Sequence, residues 1–264
     1  MNLYKINYKE DFFTEVTNYV IANFKHNLID LKIILPSGYE CSHLQKCLIS
    51  RIGTSLLPKI ITISEVSAEN EEVFQIPSQQ FVAASSLEEK FWLAEIIHSY
   101  EKLGYNLQHA IALSQELAFL FNELEANEIG LKQVKEVPNI DQSKHWDFIY
   151  DFLHFAKQKW QDKLSISSKL SKAKYKQLMF TAEIERLTNN QDQSLLIAGI
   201  SGGNLLLKKF CKSVVNLPNG HIILPPTAGV TELNDIRPDD GLFAIAELLK
   251  TLEKKLTDFT VLGS

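Results

Sequence analysis

Leu31-Lys32-Ile33-Ile34-Leu35-Pro36-Ser37-Gly38 decides the fold. Five residues, apolar at every position but one, run into a Pro-Ser-Gly loop. That is the pattern of a strand covered on both faces, as in a parallel α/β sheet. A helical stretch follows, with Leu44, Leu48 and Ile52 in period and Gly53 closing it, and then a second apolar run, Ile60-Ile61-Thr62-Ile63. The same grammar returns near the other end of the chain. Ser194-Leu195-Leu196-Ile197-Ala198 enters a glycine loop, Gly199-Ile200-Ser201-Gly202-Gly203; a helix follows, then His221-Ile222-Ile223-Leu224-Pro225. Two strand–loop–helix–strand units at opposite ends of a 264-residue chain predict one sheet divided by a long insertion.

The intervening sequence reads as helical. Ser86-Leu87-Glu88-Glu89 fits a capping box with Ser86 as the cap and Glu89 at the third helical position. That helix continues through Phe91, Trp92, Ile96 and Ile97 towards Gly104, and Asn106 caps a second one through Ile111, Leu117, Phe121 and Leu124. A third spans Trp146 to Trp160 and a fourth covers about Ser171 to Leu187. Before the first unit lie a short strand, Leu3 to Ile6, and a helix from Asp11 to Phe24; after the second lie a helix from Leu242 to Leu256 and a short tail. The expected organisation is an α/β part over residues 1–80, a large all-α insertion over 81–192, and a return to the α/β part over 193–264.

A formal charge of −5 argues against a generally basic nucleic-acid-binding surface, though not against a local one. Three cysteines give no disulfide framework and suit a reducing compartment. Lys5, Lys9, Glu10 and Asp11 interrupt any signal-peptide core, and no apolar run approaches the ~18 residues that span a bilayer. A cytoplasmic protein with no membrane partner is expected.

Several blocks, in order, resemble the N-terminal part of AddB, the second subunit of a bacterial helicase–nuclease that processes DNA double-strand breaks, in its alphaproteobacterial form. They are Leu35-Pro36 after the first long strand, Leu117-Ala118-Phe119-Leu120-Phe121-Asn122-Glu123-Leu124, His145-Trp146 with Phe152-Leu153 and Trp160, Ile197-Ala198-Gly199-Ile200-Ser201-Gly202, and Asn219-Gly220-His221-Ile222-Ile223-Leu224-Pro225. The resemblance runs to about Pro225. It implies a superfamily 1 helicase-like module: a RecA-like parallel sheet flanked by helices, with a helical insertion (1B-like). It also implies a chain truncated before the second helicase-like module and the nuclease domain. The partner it implies is an AddA-type helicase subunit or the remainder of a split AddB, with DNA as a further one.

Candidate sites divide by chemistry. A P-loop needs glycines whose amides cradle phosphates and a lysine that neutralises them. Asn7-Tyr8-Lys9-Glu10-Asp11, where helicase relatives carry that loop, has no glycine and adds two carboxylates. Gly199, Ser201, Gly202 and Gly203 join a strand to a helix N-terminus, where an anion can meet backbone donors; the bland reading is a tight turn. ATP-using relatives hold magnesium with an aspartate near this strand end, and here the residue is Ala198. Pro238-Asp239 with Glu253-Lys254-Lys255 formally matches a nuclease pattern, but Glu253 falls on an amphipathic helix and the match reads as chance. Cys41 and Cys47, six apart, do not stack on one helix face as metal ligands, and the seven histidines show no ligand spacing. No catalytic residue, metal or cofactor is therefore assigned. Lys157, Lys159, Lys163, Lys169, Lys172 and Lys174, with Trp160, form a lysine-rich stretch that could hold a DNA backbone and stack a base; the bland reading is a solvated helix face.

Three functions fit. The first is a degenerate helicase-like module without ATPase or nuclease activity of its own, a structural or DNA-scanning part of a break-repair complex. The second is an α/β small-molecule or nucleotide-binding enzyme with its site at the strand C-termini, which needs the Pro36-Ser37-Gly38 and Gly199–Gly203 loops to converge openly. The third is a single-stranded DNA-binding module built on the lysine-rich helices.

Overall fold

A computed structural model describes residues 2–53, 56–66, 82–135, 144–190, 192–227 and 236–263. By its internal contacts the chain falls into two units: Met1–Glu72 with Met179–Ser264, and Val73–Leu178.

The first unit is α/β. Strands β1 (Asn2–Ile6), β2 (Leu31–Leu35), β3 (Lys59–Thr62), β6 (Ser194–Ala198), β7 (Gly220–Leu224) and β8 (Thr260–Leu262) form one six-stranded sheet in the order β3-β2-β6-β7-β1-β8, every pair parallel. Strand alternation explains why the runs are apolar throughout. Leu31, Ile33 and Leu35 of β2, Leu196 and Ala198 of β6 and Ile223 of β7 pack with helices α1 (Phe12–Phe24) and α2 (Gly38–Ile52). Their neighbours Ile34, Leu195, Ile197, Ile222 and Leu224 pack on the other face with α8 (Leu205–Val215), α9 (Phe243–Leu252) and the C-terminal half of α7 (Lys172–Asn189). This is a parallel sheet flanked by helices, consistent with a RecA-like fold.

Lys32 is the one polar residue in the β2 run, and it lies on the α7 face. Its ammonium meets the fully buried Glu183 carboxylate at 2.9 Å, and Arg186 closes on the same carboxylate at 2.8 and 3.0 Å. Burial alone would raise the Glu183 carboxyl. The hydrogen bonds and charge of Arg186 and Lys32 outweigh it and hold the group below its ordinary range. On the same face Phe180 stacks on Phe210 at 4.3 Å.

The second unit contains β4 (Val82–Ala83), α3 (Ser86–Ser99), α4 (Leu107–Ala126), the short α5 (Leu131–Lys135), α6 (Lys144–Ile166), β5 (Lys169–Leu170) and the first turns of α7. Leu93, Ile97, Leu117, Phe121, Phe152 and Ala156 make its core. It is not all-α, because β4 and β5 pair in parallel, Val82 with Lys169 and Ala83 with Leu170. Two-residue strands carry no readable period.

Other boundaries also move from expectation. Ser85, not Ser86, caps α3, with Glu88 completing the box. Ser85-Ser86 and Glu88-Glu89 fit either frame, and the observed frame turns Glu89 inward, where it is buried. The division between units falls within α7 rather than after it, because Phe180 and Leu187 pack on the sheet. The tail holds β8, a three-residue edge strand with no sequence pattern.

Two outcomes test these contacts. Glu183→Gln leaves two largely buried cations without their carboxylate and is expected to lower unfolding free energy by about 3–5 kcal/mol in denaturant titration. His221 on β7 is half-buried; its Nδ1 lies 2.8 Å from the Tyr19 hydroxyl, and burial lowers its pKa from 6.5 to about 4. Between those pH values the unfolded chain takes up a proton that the folded chain refuses, so stability falls as pH drops from about 6.5 towards 4. His221→Gln should flatten that part of the stability–pH profile.

Candidate functional site at the carboxyl edge of the sheet

Ligands of open α/β sheets bind beyond the carboxyl ends of the strands. Here that edge is made by the loops after β1, β2, β3 and β6.

The loop after β1 is a closed turn. Asn7 N–H donates to the Leu262 carbonyl at 2.9 Å, Glu10 N–H to the Asn7 carbonyl at 2.9 Å, and Lys9 N–H to Asn7 Oδ1 at 3.2 Å. Asp11 caps α1 by accepting from Thr14 N–H at 2.8 Å, a bond that lowers its carboxyl pKa. The amides of Asn7, Lys9, Glu10 and Thr14 are thus already satisfied, and Glu10 and Glu15 pack against Gly263 beside them.

The loops after β2 and β6 do lie together, because those strands pair in register from Leu31–Ser194 to Ile34–Ile197. They do not converge openly. Gly199 sits at φ +74, and a Cβ there would stand 2.9 Å from the Phe12 ring and 3.6 Å from Pro36. A Cβ on Gly202 would stand 2.7 Å from that of Ala244, and one on Gly203 2.7 Å from Leu207. The helix donors are spent locally. Asn204 Oδ1 accepts from Leu207 N–H at 3.1 Å, Ser37 Oγ accepts from Glu40 N–H at 3.4 Å, and the Ser37 hydroxyl donates to the Glu40 carboxylate at 2.9 Å. Gly199 and Gly202 serve close packing, and Ser201 is exposed. The open convergence required by the second reading is absent at this pair of loops.

A cleft of about 330 Å³ lies one strand further out, between α2 and β3. Gly38, Cys41, Ser42 and Gln45 form one wall, Pro58, Ile60 and Thr62 the other, and Glu65 stands at its end. Sequence reading passes over it, although one signal was available. Gly38, Cys41, Ser42 and Gln45 recur at helical spacing as a small and polar face where a packed helix would carry apolar residues.

The lysine-rich stretch, within the second unit, is largely paired. Lys163 meets Glu95 at 2.8 Å, Lys169 meets Glu88 at 2.5 Å, Lys172 meets the buried Glu89, and Lys174 donates to Gln177 at 3.0 Å. Lys169 is the main cause that holds the Glu88 carboxyl down at about 2. Trp160 is a correction. It is 5% exposed and packs 6.0 Å from Trp92, ring centre to ring centre, so it is core and cannot stack a base. Lys157 and Lys159 make no ion pair among the described residues, and Lys159 is exposed.

The start of α7 is held by Asn122, from one of the resemblance blocks, and by Glu125, just beyond it. Asn122 Oδ1 accepts from Ala173 N–H at 3.2 Å, and Asn122 Nδ2 donates to Glu89 at 3.3 Å. Ser171 accepts from Lys174 N–H at 3.1 Å and donates to Glu125. Asn122 and Glu125 are therefore structural.

Glu253 adopts a left-handed conformation at the end of α9 and pairs with Lys212 at 2.6 Å; Asp239 lies in an exposed turn. Among the described residues no group of three His, Cys, Asp or Glu side chains converges as a metal site. All three cysteines are free, and burial pushes the Cys211 thiol up to about 12.

No protein-family model matches the chain. It is similar to proteins described only as uncharacterized in Rickettsia. The Rickettsia typhi protein is 30% identical over 199 residues, covering 75% of this chain and 21% of the relative. The Rickettsia bellii protein is 30% identical over 201 residues, covering 75% and 22%, and that of Rickettsia conorii 30% over 180 residues, covering 68% and 20%. The chain thus spans about a fifth of the length of these curated relatives. No helix among the described residues is long and apolar enough to cross a membrane.

Asp11→Ala should cost about 1 kcal/mol in denaturant titration through the lost cap, and should confer no affinity in a fluorescent-ATP titration. Nucleotide binding in either protein would overturn this account of the loop.

Proposed function

We propose that the chain is a degenerate helicase-like module of the AddB type, a structural and DNA-scanning part of a cytoplasmic double-strand-break repair complex with no ATPase or nuclease activity of its own. The observation that carries the reading is the loop after β1. In a RecA-like parallel sheet it stands where a phosphate loop would, yet its Asn7, Lys9 and Glu10 amides are satisfied by Leu262 and Asn7, Asp11 caps the helix that follows, and the Glu10 and Glu15 carboxylates stand beside it. A sheet kept intact around a closed phosphate position suits scaffolding rather than turnover. The insertion of a second unit between β3 and β6 and the similarity to far longer relatives support the same reading. The expected partner is an AddA-type helicase or a separately encoded AddB remainder.

Affinity capture from the source cell with the full chain as bait, read by mass spectrometry, should recover one of those two partners. Recovery of neither by a folded bait, or ATP hydrolysis by the chain alone, would overturn the proposal. DNA contact would fall to Lys157 and Lys159. Lys157→Ala/Lys159→Ala should weaken DNA binding across sequences and reduce the slope of log affinity against log salt by about 2.

A further inference from the structure

The cleft between α2 and β3 has a definite chemistry. Its walls follow from the two periods that meet there: positions 38, 41, 42 and 45 of one helix face oppose positions 58, 60 and 62 on one face of the edge strand. Pro58 and Ile60 give an apolar floor, and Ser42, Gln45 and Thr62 give a polar rim. At the α2 end, nothing lies within 4 Å of where a Gly38 Cβ would stand.

The charge in the cleft is of one sign. Glu65 is exposed and makes no ion pair among the described residues, and no lysine or arginine lines the space. Its carboxylate is nonetheless fixed, because Oε2 accepts from Thr62 N–H at 2.6 Å, leaving Oε1 and further lone pairs available. Thr62 Oγ1 is 2.8 Å from Ser64 Oγ, which steadies the same turn. After burial, the charges of Glu65 and Glu40 are what raise the Cys41 thiol, so this wall is neutral and the site repels anions.

We infer that this cleft binds an alkylguanidinium group, its apolar stem along Pro58 and Ile60 and its head on the Glu65 carboxylate. A planar cation with several donors fits a fixed carboxylate in a cleft that also offers the acceptors of the Gln45 amide and the Thr62 hydroxyl. Its volume lies within the range of small-ligand sites. The group can belong to a free small molecule or to an arginine side chain of an extended peptide lying along the edge strand β3. The inference does not depend on the repair reading, which concerns other loops.

The test is a titration of the full chain, ¹⁵N-labelled, with agmatine and, separately, with a capped extended peptide carrying one arginine. Agmatine should shift the amides of Cys41, Thr62 and Glu65 with millimolar affinity. Glu65→Gln should weaken that at least about tenfold, the loss of one charge-assisted pair, while keeping a dispersed spectrum. Gln45→Lys, which supplies an internal cation to Glu65, should block binding in the same way. The alkylation rate of Cys41 in a Cys47→Ser background gives a second readout, since Glu65→Gln should lower the thiol pKa and speed the reaction at fixed pH. Tighter binding of the peptide identifies a partner's arginine as the occupant, and equal affinity identifies a free small molecule. Absence of shifts at the cleft, or shifts undiminished in both variants, would overturn the inference.

Discussion

The pairing of β2 with β6 is the contact on which the sheet depends. It joins Ile33 to Leu196 across the whole second unit, so a large loop must close before the middle of the sheet exists. Loop-closure cost grows only slowly with length, and burial on both faces offsets it. Ile34 and Ile197 are sealed under one helical layer, Ile33 and Leu196 under the other, and all four are at most 1% exposed. The Lys32–Glu183–Arg186 cluster adds direction to this closure. Arg186 partners Glu183 within α7, and Lys32 adds the pair that ties this helix to β2.

With the sheet closed, the same device recurs along its carboxyl edge. Helices α1, α2 and α8 all begin there, and Asp11, Ser37 and Asn204 each satisfy one of their own helix's first donors. A helix N-terminus that binds a ligand must leave those donors open when the ligand is absent, which costs stability. Here the edge is stabilised by its own side chains, and aromatic packing completes it, with Phe12 under Gly199 and Phe13 4.3 Å from His43. The cleft beside β3 lies at the end of the strand order, away from the β2 and β6 loops that Phe12 and Pro36 close.

The strands β1, β2, β3, β6 and β7 were legible because a doubly covered strand has to be apolar at nearly every position, and the glycine and proline loops mark their ends. Asn106 as a cap was legible for the same local reason, and Asp11 was placed at the start of its helix. The failures also have physical causes. Two- and three-residue strands such as β4, β5 and β8 have too few residues for a period. Ser85-Ser86 offered two equivalent frames, and only the burial of Glu89 selects one. Trp160 looked like a stacking residue because lysines flank it in sequence, but its ring turns into the core of the second unit against Trp92, a contact between helices that no local pattern shows. The α2–β3 cleft depends on two segments meeting in space and left only the unusual polarity of one helix face as a trace.

The lysine-rich stretch illustrates how formal charge and available charge diverge. Sequence counts every lysine alike, whereas attraction for a polyanion depends on lysines not already neutralised within a few ångströms. Lys163, Lys169 and Lys172 each face a glutamate of α3, at Glu95, Glu88 and Glu89 in turn. The three pairs join α3 to the end of α6, to β5 and to the start of α7. Releasing those lysines to a phosphate backbone would leave the buried Glu89 without its cation, a cost that surface pairs do not carry. Within the lysine-rich stretch, Lys157 and Lys159 are the lysines that make neither an ion pair nor a side-chain hydrogen bond among the described residues.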